Sequence, residues 1–202
     1  MSIGHIFFDI GGVLGTNAWD REQRAAAVAA FGLDAGEFAE RHPEAAAALE
    51  TGRMSLGDYL RQTVFYRPRS FTPPEFSAFM REQSQPWPAT IAVARALAGT
   101  GRWRMAVINN ESEELNVYRL RHFGLTDIFA AFYSSCWLRV AKPAPRIFEL
   151  ALAMSQAVAA GSVMVDDRPR NVDAARAHGM QAILFTTADQ LRADLAALGV
   201  AP

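Results

Sequence analysis

The sequence predicts an α/β fold, a parallel sheet covered by helices on both faces, with an all-helical segment inserted between the first and second strands. Three observations predict it. Short apolar runs recur along the chain, and each stops at polar or turn-forming residues. Apolar residues at helical spacing lie between the later runs. The stretch from about residue 17 to 88 carries helical patterns and no convincing strand.

The elements follow in order. Ile3 to Phe8, rich in Ile and Phe, ends at Asp9 before Gly11 and Gly12, as a buried strand entering a tight loop would. The insert comes next, with helices expected at Ala25 to Phe31, Glu44 to Glu50, Met54 to Phe65 and Glu75 to Glu82. Pro68, Pro73, Pro74, Pro86 and Pro88 punctuate its end. A second strand, Met105 to Ile108, stops at Asn109 and Asn110, and a helix carrying Ser112, Leu115, Tyr118 and His122 follows. A third, Ala131 to Tyr133, gives way to Ser134 and Ser135. The helix after it, Ala144 to Met154, places Ile147, Leu150 and Met154 on one face. A fourth strand, Val163 to Val165, stops at Asp166 and Asp167. It leads into a helix from Arg170 to His178 with Gly179 as its C-cap. The fifth, Ala182 to Phe185, ends before Thr186 and Thr187. The expected division is 1–16 and 89–202 for the α/β core and 17–88 for the helical insert.

Composition narrows the function classes. A chain of 202 residues suffices for one full core or for a core with a smaller insert. A net charge of -1 provides no basic surface for nucleic acid or an anionic membrane. The single cysteine, Cys136, excludes an internal disulfide framework and a cysteine-rich zinc site, which fits a reducing, cytoplasmic setting. The opening residues have no basic start and carry Asp9 within their apolar run, so they do not read as a signal peptide. No apolar stretch is long enough to span a membrane. Monomer and homodimer are equally compatible with these data.

Asp9, Asn109, Asn110, Lys142, Asp166 and Asp167 gather where strands end or just beyond, and open α/β sheets bind ligands past the carboxyl ends of their strands. Asp9, Asp166 and Asp167 offer hard oxygen ligands of the kind Mg²⁺ takes. Lys142 offers a positive charge for a phosphate and for Asp9. Asn109 and Asn110 offer hydrogen-bond donors, and Gly11 and Gly12 allow close backbone approach.

Four segments in order resemble the four motifs of the haloacid dehalogenase-like superfamily: Phe7 to Leu14, Val107 to Asn110, Lys142-Pro143, and Val165 to Val172. The resemblance spans about residues 3 to 187. It implies a Rossmann-like core with a helical cap, and an Mg²⁺-dependent phosphomonoesterase acting on a small phosphorylated metabolite. In that reading Asp9 is the nucleophile and forms an aspartyl-phosphate. The Asp9 carboxylate, the Gly11 carbonyl and Asp167 hold Mg²⁺, with Asp166 acting through water. Lys142 and Asn109, with Asn110, bind the phosphate, and Trp19 and Glu111 border the substrate pocket. Trp87 lies at the other end of the insert, at a hinge or a pocket wall.

Two positions depart from the pattern. Gly11 stands where most phosphatases of the superfamily carry a second Asp as general acid and base; Asp20 and Glu111 are the replacements the sequence offers. Asn109 stands where Ser or Thr is usual. A Gly at the first position resembles a subgroup acting on sugar phosphates. The same absence resembles the superfamily's 2-haloacid dehalogenases, whose halide leaves unprotonated, and a non-catalytic member that binds a ligand or partner is the third reading. The glycines around Gly11 lack dinucleotide and Walker spacings. His5, His42, His122 and His178 show no metal spacing and read as structural, as does Cys136.

Overall fold

The computed structural model describes residues 2–202. Five parallel strands form one sheet in the order β3-β2-β1-β4-β5: β1 His5–Phe8, β2 Arg104–Asn109, β3 Ala131–Ser134, β4 Ser162–Asp166 and β5 Gln181–Leu184. Alternation along β1 divides the core. Ile6 and Phe8 face one side, with Val107, Val163 and Val165; Phe7 faces the other, with Ala106, Ile108 and Met164.

Helices cover both faces. α5 (Pro88–Gly99), α6 (Glu113–His122) and α10 (Ala188–Ala197) contribute Leu97, Leu120, Leu191 and Leu195 to the first side. α8 (Pro145–Ser155) and α9 (Pro169–Ala177) contribute Ile147, Phe148, Ala151 and Ala175 to the second. α7 (Ser135–Leu138) is a single turn after β3. All five strands stand where the apolar runs place them. Three helices, α5, the single-turn α7 and α10, were not among the expected ones.

Between β1 and β2 lie α1 (Arg21–Ala30), α2 (Ala35–Glu50), α3 (Leu56–Thr63) and α4 (Pro73–Glu82). Each begins at a polar cap, Asp20, Asp34, Ser55 and Thr72, whose side chain satisfies a first-turn amide. α2 begins nine residues before the expected Glu44, because Asp34 caps it there and Pro43 is carried inside the helix. These helices share an apolar cluster that includes Phe38, Leu49, Tyr59, Leu60, Phe76 and Met80, joined by Leu115 of α6. The chain leaves and re-enters the sheet region through two adjacent segments. Thr16 N–H donates to the Gln85 carbonyl at 2.9 Å, and Trp87 N–H to the Leu14 carbonyl at 2.8 Å. Trp87 stacks on Phe185 beside this crossing.

Candidate active site

β1 is central, and the chain runs from it to β2 on one side and later to β4 on the other. The ends of these strands therefore flank a topological switch point, where a crevice opens. A cavity of about 110 Å³ lies there, lined on the sheet side by Asp9, Gly11, Asn110, Glu111, Lys142 and Asn171. The α1–α4 segment supplies Trp19, Arg24, His42, Leu49 and Glu50.

Asp9 ends β1 in near-complete burial. Its amide donates to the Val165 carbonyl, and its Oδ1 accepts the Ile10 amide at 2.8 Å, which fixes Oδ2 toward Lys142. Lys142 Nζ lies 2.9 Å from Asp9 Oδ2 and 2.6 Å from Asp166 Oδ2. Asp166 is saturated on both oxygens: Oδ1 accepts Arg168 N–H and Asn171 Nδ2, and Oδ2 accepts Lys142 and Asn171. Asp167 differs, since its Oδ1 is buried without a partner.

The electrostatics follow from this crowding. Burial pushes Asp9 up to about 7; Lys142 pulls the other way, and Asp166 and Asp167 add to the rise. Burial works against the Lys142 ammonium, but Asp9 and Asp166 outweigh it and raise its pKa. Burial and the Asp166 charge also raise Asp167. Lys142 pairs with Asp9 and Asp166, and carboxylate oxygens of Asp9, Asp166 and Asp167 lie within 4.8 Å of one another. Such a cluster, with one orphaned oxygen, fits a hard divalent cation. Gly12 belongs to the same wall. Its φ is +70°, and a Cβ there would collide with the Asp167 carboxylate.

Other expected site residues fall in different places. Asn110 lines the cavity, but its amide clamps the Lys142 main chain: Nδ2 donates to the Lys142 carbonyl and Oδ1 accepts its N–H, both at 2.8 Å. Asn109 is not brought to the cavity. Its Nδ2 donates to Asn116 Oδ1 at 2.9 Å and its Oδ1 accepts Ser134 Oγ at 2.7 Å, within the β2, β3 and α6 junction. Trp19 and Glu111 both border the cavity. Cys136 is buried, and burial with the Glu111 and Glu113 charges pushes its thiol up to about 12, which leaves it unreactive.

Sequence reasoning missed Arg119, Arg168, Asn17 and His42 as cavity residues. Arg119 is 2% exposed; Nη1 donates to Glu111 Oε2 at 3.1 Å and Nη2 to the Thr16 carbonyl at 2.5 Å. Arg168 pairs with Asp20 at 2.7 Å, tying α1 to the loop after β4. No spacing rule marks these residues, because their partners lie 8 to 148 positions away.

His42 Nδ1 lies 2.8 Å from Tyr59 Oη, which accepts Trp19 Nε1–H at 2.9 Å. Tyr59 therefore donates to a neutral His42. Burial, then the Arg24 charge, lowers His42 to about 4. A depressed folded pKa means that the unfolded chain takes up the proton first. This contribution to stability is full above about pH 6.5 and is lost as pH falls toward 4. The thermal midpoint of His42→Gln is expected to fall less than that of wild type across this window. Parallel curves would remove His42 as the titrating group.

A family model described as haloacid dehalogenase-like hydrolase matches residues 3–179. The chain belongs to the haloacid dehalogenase-like hydrolases. No curated protein matches this hydrolase at a significant level. Among solved structures, a predicted HAD-like family hydrolase from Porphyromonas gingivalis superposes with a TM-score of 0.80 at 20% identity, over 100% of both chains. A HAD family enzyme from Bacteroides thetaiotaomicron, in complex with magnesium and inorganic phosphate, gives 0.78 at 16% identity, over 92% of this chain and 95% of that one. An L-2-haloacid dehalogenase gives 0.64 at 20% identity, over 90% and 86%. The α/β architecture is thus shared with these enzymes, a dehalogenase among them. No described helix of this hydrolase is long and apolar enough to cross a membrane.

Proposed function

We propose that this hydrolase is a magnesium-dependent phosphomonoesterase acting on a small phosphorylated metabolite through an aspartyl-phosphate on Asp9. One observation carries the reading: the carboxylates of Asp9, Asp166 and Asp167 converge at the strand ends, Lys142 pairs with the first two, and the Asp167 Oδ1 is buried without a partner. Asp9, the Gly11 carbonyl and Asp167 would hold Mg²⁺, which neutralises phosphate charge and favours the ionised form of Asp9.

The chain's own groups divide the remaining work. Asp9 Oδ2 attacks phosphorus. Lys142 binds a phosphate oxygen and holds Asp9 by charge. Asn110 fixes the Lys142 backbone, and Asn109 braces the end of β2 through Asn116 and Ser134. Asp166 anchors Lys142 and the start of α9. The α1–α4 segment covers the site as a cap and sets the leaving-group pocket with Trp19, His42 and Leu49. The magnesium and phosphate complex of the Bacteroides enzyme supports this reading.

The test is phosphate release from a panel of phosphomonoesters, with and without Mg²⁺, beside halide release from 2-haloacids. Phosphate release that needs Mg²⁺ is expected. Halide release without metal would make the protein a dehalogenase. Neither product from folded protein would leave a binding role.

A further inference from the structure

An alcohol leaving phosphorus needs a proton, because a free alkoxide is a poor leaving group. Gly11 offers no side chain for this, and a Cβ there would lie 2.9 Å from Asn17 Oδ1. The two carboxyls that the sequence offers instead are committed elsewhere. Glu111 accepts Arg119 Nη1, Ser112 N–H and Ser112 Oγ–H. Asp20 accepts Arg168 at 2.7 Å and the Arg21 amide at 2.8 Å. His42 is neutral, and Tyr59 occupies its Nδ1.

Glu50 is uncommitted. It lines the same cavity as Asp9, and its side chain forms no hydrogen bond or ion pair among the described residues. α2 brings it there: His42, Ala46, Leu49 and Glu50 fall on one helical face, and that face borders the cavity. The backbone at Glu50 is fixed against the sheet. Ser135 Oγ donates to the Glu50 carbonyl at 2.6 Å and accepts the Glu111 amide at 3.1 Å. The end of α2 is thereby pinned to the loop after β2, where Asn110 clamps Lys142, the partner of Asp9. The next turn is keyed to α7, since a Cβ on Gly52 would collide with the Cys136 carbonyl. Two effects favour a protonated Glu50. It is the last residue of a helix with no basic residue in its final turn, so the helix dipole opposes a carboxylate there. Burial also raises its carboxyl above the ordinary value; the Glu111 and Asp20 charges add to the rise, and Arg168 and Arg170 oppose it.

We propose that Glu50 is a catalytic residue, the general acid and base of this hydrolase, delivered to the strand ends by the α1–α4 segment. The proposal rests on the phosphomonoesterase reading. In the first step the bond from Asp9 Oδ2 to phosphorus forms and the bond from phosphorus to the ester oxygen breaks. The Glu50 proton passes to that oxygen, which leaves as a neutral alcohol. In the second step a water oxygen bonds to phosphorus, and the Glu50 carboxylate takes one water proton. The bond to Asp9 Oδ2 breaks with its electron pair on Asp9. Phosphate is released, and Asp9 and Glu50 return to their starting states.

The experiment compares wild type with Glu50→Gln, which keeps the shape and removes the proton, in the presence of Mg²⁺. On glycerol phosphate, kcat/KM should fall by about 10²–10⁴-fold, the typical contribution of a positioned acid. On acetyl phosphate and dinitrophenyl phosphate, whose leaving groups depart unprotonated, kcat/KM should stay within about threefold, which also shows that the variant is folded. Their kcat should still fall, because the second step is common to every substrate. Dinitrophenol should then appear in a burst close to the enzyme concentration. Acid quench should trap a larger fraction of the variant than of wild type as aspartyl-phosphate. An equal loss of kcat/KM on all three esters would make Glu50 a binding or structural residue and overturn the proposal. So would glycerol phosphate turnover unchanged by the substitution, or wild-type turnover confined to the acetyl and aryl esters; each leaves the phosphatase reading intact. No Mg²⁺-dependent phosphate from any ester would remove both.

Discussion

Asp9→Asn is expected to lower phosphate release by about 10⁴–10⁶-fold, the range seen when a nucleophile is removed, with the fold intact. The geometry explains why only the chemistry should fail. Asn is isosteric with Asp, and its oxygen can still accept the Ile10 amide that Asp9 Oδ1 accepts at 2.8 Å. Lys142 keeps Asp166 as an ion-pair partner at 2.6 Å. The lost group is a carboxylate whose ionisation burial opposes, with a pKa near 7. Replacing it removes an electrostatic cost at pH 8 and does not open a cavity. A thermal midpoint equal to or above that of wild type should therefore accompany the loss of activity. The complementary measurement is covalent phosphate on the peptide carrying Asp9, trapped from wild type by acid quench during turnover and absent from Asp9→Asn. Retention of more than about a hundredth of the activity would take the nucleophile away from Asp9.

The parts legible in the sequence are those that local pattern controls. Each strand is an apolar run closed by polar residues, so Asp9, Asp166 and Asp167 could be placed at strand ends before any contact was known. Their convergence follows from parallel order alone. α5 escaped because its residues are largely apolar or small, so no polar face marks a helical period. α10 escaped because its amphipathic pattern is weak. Asn109 and Asn110 show a finer limit. Adjacent residues at the end of a strand point to opposite sides, and the sequence did not reveal which of the two faces the cavity. Asn109 pairs in register with Ser134 of β3, and the Asn109, Asn116 and Ser134 side chains satisfy one another. A polar residue seven positions on in α6, and another at the end of β3, were the available signal. Arg119 was harder still: it is held by a carboxylate 8 positions away and a carbonyl 103 positions away.

Lys142→Met is expected to cost about 3–5 kcal/mol of stability at pH 8, the usual result of removing one partner from a buried ionic group. Lys142 is 3% exposed and is the cation that both Asp9 and Asp166 contact. Met preserves much of the stem and removes only the charge. The two carboxylates then face each other without a counter-ion, and the folded pKa of Asp9, already raised, rises further. A raised carboxyl pKa stabilises the fold below its unfolded value of about 4, and that contribution is lost as pH climbs through the folded value. The penalty should thus shrink at pH 5, where the folded site can keep a proton. Mg²⁺ should restore part of the loss at pH 8, because a divalent cation replaces the missing charge among the same oxygens. Urea unfolding at both pH values, with and without Mg²⁺, measures all three effects. A loss equal at pH 5 and pH 8 and indifferent to Mg²⁺ would assign the role of Lys142 to packing of its stem. The pH- and metal-dependent pattern would show that its ammonium holds a site built with more negative charge than the protein alone neutralises.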